Sequence, residues 1–248
     1  MTSLAAAWPP PPADLTLDTN DVHVWCTFLD RPRQQQDLLW LSLAAAEKAR
    51  AKRFYFERDK NRFIVARGVL RAILGRYLDV APKQIAFAYG EHGKPELAPA
   101  FAGSGLQFNL SHSQGVALYA VSRHRTLGID VEQIRSLDDG ARIAERFFSS
   151  WENAVFTAVP DPQKPTAFFN CWTRKEAYIK AIGEGLSCPL DAFDVSLAPD
   201  EPARLLRIRG SEAAAARWSL FTLSPAAGYV GAVVVEGGNG RLSYWQWS

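Results

Sequence analysis

Cysteine is scarce and unpatterned in this sequence. The three cysteines among its 248 residues, Cys26, Cys171 and Cys188, lie far apart and show no paired ligand spacing. Such a set argues against a disulfide framework and against a zinc cluster, so we expect reduced thiols with a structural role.

Long apolar runs and a strong excess of charge are also absent. No stretch of about 18 uninterrupted apolar residues occurs, which argues against a membrane-spanning helix. The first residues contain no lysine or arginine and run into Pro9–Pro12, unlike a signal or transit peptide. The formal net charge is +2, which leaves room for a local basic pocket but gives no strong footprint for nucleic acid or an anionic membrane. We therefore expect a soluble, cytoplasmic protein without a nucleic-acid or membrane partner.

The hydrophobic content of 48% is typical of a globular protein, and the length allows one large domain or two of modest size. We expect residues 1–20 to form a mobile, proline-bearing arm, because polyproline enters neither a helix nor a ladder. Beyond the arm, hydrophobic periodicity predicts both helices and strands in each half of the chain. The predicted helical segments are 42–78, with a break near Asp59, 138–148 and 166–182, and the predicted strands are 22–29, 106–110, 116–121, 127–132, 193–197, 204–208, 218–223, 229–235 and 242–245.

Two carboxylates share one face of the strand predicted at 127–132. Residues two apart point the same way on a strand, so Asp130 and Glu132 lie together while Ile129 and Val131 face the opposite side. Neighbouring carboxylates repel each other and need a cation or ample water. The pattern therefore fits either a cation site or the solvated face of an edge strand.

A second group of charges interrupts the apolar stripe of the last predicted helix. Lys175 and Glu176 fall among its apolar positions, and Lys180 follows Glu176 by one turn. Charged side chains in such a stripe are paired, liganded or functional, and an ion pair at the core margin is the alternative. Together, Asp130, Glu132 and Glu176 would make an all-oxygen set, which suits Mg²⁺ better than zinc and points to phosphate-ester or anhydride chemistry.

Candidate ligands for an anion occur in further segments. Ser111 and His112 lie where a strand meets a polar turn and can bond to phosphate oxygens, although turn chemistry alone also explains them. No G-x-S-x-G motif occurs, which argues against a Ser–His hydrolase. Lys94 lies on a Gly-Lys-Pro turn, and Arg50 and Arg62 belong to a basic helical cluster whose faces are usually solvated.

An ordered set of motifs extends over about residues 47–190. It consists of Arg53-Phe54-Tyr55 with Arg62, Gly93-Lys94-Pro95, Asn109-Leu110-Ser111-His112-Ser113, Gly128-Ile129-Asp130-Val131-Glu132, Arg146-Phe147-Phe148-Ser149, and Trp172 with Lys175-Glu176 and Lys180. This set resembles the Sfp-type 4′-phosphopantetheinyl transferases. The Gly-Ile-Asp-x-Glu and Trp-x-x-Lys-Glu-Ala motifs together are its most specific part.

The resemblance implies an α+β fold of two similar α/β halves, 21–122 and 123–248, related by a pseudo-twofold axis with the active site in the cleft between them. It implies that coenzyme A donates its phosphopantetheine arm to a serine of an acyl or peptidyl carrier protein, which releases adenosine 3′,5′-bisphosphate. We expect a monomer, because the two-half fold needs no partner to complete the site. By similarity Asp130, Glu132 and Glu176 bind Mg²⁺, Glu176 and Lys180 act in catalysis, and Arg50, Arg62, Lys94, Ser111, His112, Lys175 and Lys180 hold coenzyme A.

Two other functions stay open on the residues alone. A Mg²⁺-dependent phosphohydrolase or nuclease would also use clustered carboxylates, and a non-catalytic carrier-binding protein would share the fold. The stretch after the acidic strand is a candidate carrier-docking surface, with its aromatic residues in the core as the alternative. Its residues are Arg142, Arg146, Phe147, Phe148 and Trp151.

Overall fold

Helices and strands occur in both halves of the chain, as the sequence patterns predict. The computed structural model describes residues 8–90, 93–137, 139–238 and 240–248. The helices are α1 (Arg33–Ser42), α2 (Ala45–Ala51), α3 (Glu57–Leu78), α4 (Gly140–Phe147), α5 (Ser150–Ala158), α6 (Lys164–Ile182) and α7 (Glu212–Ala215). The strands are β1 (Asp21–Phe28), β2 (Phe87–Tyr89), β3 (Pro95–Leu97), β4 (Leu106–Ser113), β5 (Val116–Arg123), β6 (Leu127–Gln133), β7 (Phe193–Val195), β8 (Leu205–Ile208), β9 (Trp218–Leu223), β10 (Tyr229–Glu236) and β11 (Arg241–Gln246).

The predicted strands and the long helix α6 are confirmed, whereas the N-terminal helices differ from expectation. The helical pattern at 42–78 divides into α2 and α3, and the break falls at 52–56, ahead of Asp59. Helix α1 is not predicted at all. Its sequence has five polar residues followed by the consecutive apolar residues Leu38–Leu41, so it shows no apolar period that would mark a helix.

Two sheets form the centre of the molecule. The first sheet has the strand order β11-β1-β5-β4, in which β11 runs parallel to β1 and the other pairs are antiparallel. The second sheet has the order β6-β10-β9 and is antiparallel. Alternate apolar side chains of the two sheets, among them Val24, Leu118 and Ile129, are fully buried against one another.

A long helix covers the outer face of each sheet. Val69 and Ile73 of α3 are fully buried in one core with Trp25 and Tyr119 of the first sheet. Helix α6 packs in the same way on β6 and β10 of the second sheet. The layers therefore run helix, sheet, sheet, helix, which confirms the α+β class and the expectation of two halves built alike.

Both ends of the described chain lie on the first sheet. Strand β11 is distant in sequence yet pairs with β1. Within residues 8–20, expected to be mobile, Trp8 and Pro9 pack on β11: the ring of Trp8 lies 5.1 Å from that of Tyr244, and Gln246 N donates to Pro9 O at 2.8 Å. Polyproline can make this contact because its carbonyl groups still accept hydrogen bonds. Residues 1–7 lie outside the described residues, and the domain boundaries stay a prediction.

Within the described ranges, no helix combines the length and the apolar character that crossing a membrane requires.

Candidate active site

Side chains of β4 bond to β6 along the line where the two sheets meet. Asn109, Ser111 and Ser113 are spaced two residues apart and therefore point the same way. Ser111 Oγ donates to Asp130 Oδ1 at 2.7 Å, and Ser113 Oγ donates to Glu132 Oε2 at 2.7 Å. Asn109 Oδ1 accepts from a backbone N–H of β6 at 3.0 Å. The two carboxylates of β6 thus face hydroxyl groups from the other half of the chain.

Helix α6 lies close enough to β6 for Lys180 to reach these carboxylates. A Cβ at Gly128 would overlap the carbonyl oxygen of Ala177, so the glycine of the Gly-Ile-Asp motif allows the helix to approach the strand. Lys180 Nζ then lies 2.6 Å from Asp130 Oδ1 and 3.0 Å from Ser111 Oγ. The motif therefore supplies both the packing position and the acidic partner of Lys180.

The three predicted metal-binding carboxylates share one electrostatic environment. Burial, followed by the charge of Asp130, raises the pKa of Glu176. Burial also raises the pKa of Glu132, the hydrogen bond from Ser113 opposes that shift, and the charge of Asp130 adds to it. Asp130 itself is buried, and among the described residues its Oδ2 has no hydrogen-bond partner. A buried, unpartnered carboxylate oxygen near two further carboxylates favours binding of a cation.

The oxygen ligands of the three carboxylates suit a hard divalent cation, although they do not form a complete coordination site. In the part of the chain that the structure describes, no three Asp, Glu, His or Cys side chains are arranged around one metal position. The orphaned oxygen of Asp130 supplies an anchor, and oxygen ligands completed by water and phosphate are the set that Mg²⁺ prefers. Asp130, Glu132 and Glu176 are the residues that would hold it.

A basic cavity of about 470 Å³ lies at the C-terminal end of β4. Its lining includes Arg50, Arg58, Arg62 and His112, together with two phenylalanines. Burial, followed by the charges of Lys180 and Arg50, lowers the pKa of His112 and so favours the neutral imidazole. Arginines and a histidine around a space of this size suit a small polyanion.

Arg62 also has a partner that the sequence does not predict. Its guanidinium makes two bonds to the carboxylate of Asp30, which follows β1 and lies 32 residues away in the chain. An exposed aspartate after a strand is ordinary turn chemistry, so the sequence contains no signal for this contact.

Lys94 lies beside the site, with its ammonium group bonded to the protein. Lys94 Nζ donates to the carbonyl oxygens of Lys180 at 2.7 Å and of Ala181 at 3.3 Å, at the C-terminal end of α6. Burial lowers the pKa of Lys94. Lys94 also lines a smaller pocket of about 210 Å³ with Asn109 and Lys180. Its role in binding a ligand stays a prediction.

Lys175 lies in the core, which corrects its expected contact with coenzyme A. Its side chain is 0% exposed, and its Nζ lies 2.8 Å from Glu152 Oε2. Nζ also donates to the carbonyl oxygens of Leu190 and Phe193 at 2.6 and 2.7 Å. Glu152 also forms a capping box with Ser149 at the start of α5, and the sequence gives no signal that it neutralises Lys175 as well.

The candidate docking stretch is divided between core and surface. Phe148 is buried, and Phe147 is half-buried with its ring 6.1 Å from that of Trp172. Trp151 and Arg142 are exposed. The core alternative, made for Phe147 and Trp151, therefore holds in part for Phe147 and not for Trp151, and a docking role for the exposed residues stays a prediction.

Sequence comparison finds similar proteins that share one described activity. Family models described as the 4′-phosphopantetheinyl transferase superfamily and as the N-terminal part of 4′-phosphopantetheinyl transferases match residues 126–234 and 31–124. The chain is 44% identical to the 4′-phosphopantetheinyl transferase HetI of Nostoc sp., over 98% of this chain and 100% of that protein. It is 35% identical to a putative 4′-phosphopantetheinyl transferase of Synechocystis sp., over 72% of this chain and 70% of that protein. It is 31% identical to the 4′-phosphopantetheinyl transferase Sfp of Bacillus subtilis, over 72% of this chain and 78% of that protein.

Proposed function

This chain belongs to the 4′-phosphopantetheinyl transferase family, and we propose that it moves the phosphopantetheine arm of coenzyme A onto a serine hydroxyl of an acyl or peptidyl carrier protein. The observation that carries the proposal is the adjacency of two features. His112 lines the basic cavity, and the charges of both Lys180 and Arg50 act on its imidazole, while Lys180 also bonds to Ser111 and Asp130. One ligand with several phosphates can therefore occupy the cavity and reach Lys180.

The cavity residues would hold the phosphates of coenzyme A. Arg50, Arg62 and His112 can each donate charge-assisted hydrogen bonds once the imidazole is protonated beside a phosphate. Lys180, which is 29% exposed, would meet the diphosphate, since its Nζ lies between the core of the site and solvent. Ser111 and Asp130 orient that ammonium group at 3.0 and 2.6 Å.

The transfer joins the serine oxygen to the phosphorus that carries the pantetheine arm. The bond from that phosphorus to the bridging oxygen of the diphosphate breaks, and adenosine 3′,5′-bisphosphate leaves with the bond's electron pair. Glu176 is the proposed acceptor of the serine proton, directly or through water, because burial raises its pKa toward neutrality. Lys180 offsets the charge that develops on the diphosphate. When bound by the three carboxylates, Mg²⁺ would supply further positive charge to those oxygens.

Release of adenosine 3′,5′-bisphosphate from coenzyme A, with and without a carrier protein, tests the proposal. We expect release that requires both Mg²⁺ and the carrier. Lys180→Ala should lower the rate by at least about 10²-fold, as for loss of a group that stabilises transition-state charge. The matched control is Lys164→Ala, which removes a lysine paired with exposed Asp161 on the first turn of the same helix.

The same assay separates the proposal from its rivals. Release of nucleotide without a carrier would indicate a phosphohydrolase. A carrier that binds without any release would indicate a non-catalytic binding protein. Either result contradicts the proposed transfer.

A further inference from the structure

The guanidinium of Arg62 is held by a carboxylate that stands outside the cavity. Arg62 Nε donates to Asp30 Oδ1 at 2.8 Å, and Arg62 Nη2 donates to Asp30 Oδ2 at 2.7 Å. Two parallel bonds of this kind fix the plane of a guanidinium as well as its position. The side chain of Arg62 is 18% exposed and that of Asp30 is 63% exposed, so the carboxylate lies on the solvent side of the pair.

The backbone on both sides of Asp30 is anchored. Leu29 N donates to Gly115 O at 2.7 Å, which ties this segment to the turn between β4 and β5. A Cβ at Gly115 would lie 3.2 Å from Asp30 Oδ2 and 3.6 Å from Arg62 Nη2, so the turn closes tightly over the pair. On the other side, Arg31 Nε donates to a carbonyl oxygen of β1 at 2.8 Å. Asp30 is therefore a fixed support for the arginine.

The two bonds to Asp30 leave part of the guanidinium of Arg62 free to bind a ligand. A guanidinium carries five N–H groups in a rigid plane, and the two bonds to Asp30 use one on Nε and one on Nη2. Neither N–H group of Nη1 is used in the bonds to Asp30. Arg62 lines the basic cavity with Arg50 and His112, and the charge of Asp30 offsets the repulsion among these cations without taking up ligand space.

We propose that Asp30 is a positioning residue for coenzyme A, which fixes Arg62 so that its free N–H groups meet a phosphate of the ligand. This inference rests on the proposed function. It also predicts the direction in which Asp30 changes the affinity for the ligand. A carboxylate that orients Arg62 strengthens ligand binding, whereas a carboxylate that competes with phosphate for Arg62 weakens it.

A double-mutant cycle on binding and turnover tests the inference. Coenzyme A affinity is measured by calorimetry, and KM and kcat by nucleotide release, for the wild type, Asp30→Ala, Arg62→Ala and the double variant. We expect Asp30→Ala to weaken coenzyme A about tenfold, the scale of one charge-assisted contact, with kcat at saturation nearly unchanged. In the Arg62→Ala background, Asp30→Ala should have no further effect, because it acts through that arginine.

Two further variants keep the result interpretable. Asp37→Ala removes the same charge from nearby α1, where Asp37 pairs with Arg33 at 3.0 Å, and should leave the affinity unchanged. Asp30→Asn keeps the shape of the side chain and one acceptor oxygen, so it should give an intermediate loss and serves if the alanine variant does not fold.

Unchanged or tighter binding in Asp30→Ala overturns the inference. An equal loss in the Arg62→Ala background, or no effect of Arg62→Ala itself, overturns it as well. Failure of the proposed function looks different, because the wild type itself would then bind no coenzyme A or transfer no arm.

Discussion

Replacing Lys175 with methionine should destabilise the protein and leave coenzyme A binding intact. The substitution keeps the side-chain length and removes the ammonium that lies 2.8 Å from Glu152. Glu152 would remain 0% exposed, with backbone N–H donors from Ser149 and Val195, each at 2.8 Å, and no cation. The carbonyl oxygens of Leu190 and Phe193 would also lose the ammonium group that donates to both of them.

The expected loss is large because the charge cannot reach water. Breaking a buried ion pair by removing one partner costs about 3–5 kcal/mol, against a total stability of about 5–15 kcal/mol for a typical protein. For a chain of this size, about 2–4 °C of Tm corresponds to each kcal/mol, so Tm should fall by about 6–20 °C. Lys164→Met is the control, because its partner Asp161 is fully exposed and water screens the pair.

The pH dependence gives a second readout of the same charge. Burial raises the pKa of Glu152, and Lys175 is the main group that opposes the shift. Without Lys175 the folded-state pKa lies further above its unfolded value, so the folded variant binds the proton more tightly. The loss in free energy of unfolding of Lys175→Met relative to the wild type should therefore shrink as the pH falls through that raised pKa, and should grow as the pH rises. Adding Glu152→Gln to Lys175→Met should recover part of the loss at neutral pH.

Thermal unfolding at several pH values and calorimetry with coenzyme A decide the matter. A Tm within about 2 °C of the wild type, together with a tenfold weaker affinity for coenzyme A, would contradict the structural role of Lys175 in the core. That result would return Lys175 to the ligand-binding set.

Three further predictions concern the site itself. His112→Ala should weaken coenzyme A by about 10- to 150-fold, and dephospho-coenzyme A much less, if His112 meets the 3′-phosphate; an equal loss for both ligands in calorimetry would place it elsewhere. The cavity lowers the pKa of His112, and a bound phosphate should raise it again, so binding of coenzyme A should take up a proton. The affinity for coenzyme A should therefore increase as the pH falls from about 8 to about 6.5. Calorimetry in buffers of different ionisation enthalpy should detect the proton uptake. Glu176→Gln should raise Tm without metal, by removing a half-buried charge beside Asp130, and should abolish the extra stability that Mg²⁺ confers; an undiminished Mg²⁺ effect would exclude Glu176 as a ligand.

Much of the site is predictable because local geometry places it. The period of a strand puts Asp130 and Glu132 on one face, and β4 presents Ser111 to that face in the structure. Helical spacing likewise puts Glu176 and Lys180 one turn apart. The two spacing relations lie within one element, so motif spacing recovers them, whereas the contact of Ser111 with Asp130 joins two strands.

The remaining features depend on which distant segments meet. The helical pattern identifies Lys175 as an unusual charge but cannot identify Glu152, on another helix, as its partner. The contact of Asp30 with Arg62 likewise joins a strand end to a helix across 32 residues. The pairing of β11 with β1 joins the two ends of the chain, and no local pattern encodes it.

The mass of a carrier protein after reaction shows whether this protein transfers a phosphopantetheine arm. A purified apo-carrier is incubated with the protein, coenzyme A and Mg²⁺, alongside a carrier whose acceptor serine is replaced by alanine. We expect the intact carrier to gain the mass of one phosphopantetheinyl group and the alanine carrier to gain none. An unchanged carrier mass, with enzyme that is folded and binds coenzyme A, would contradict the proposed transfer.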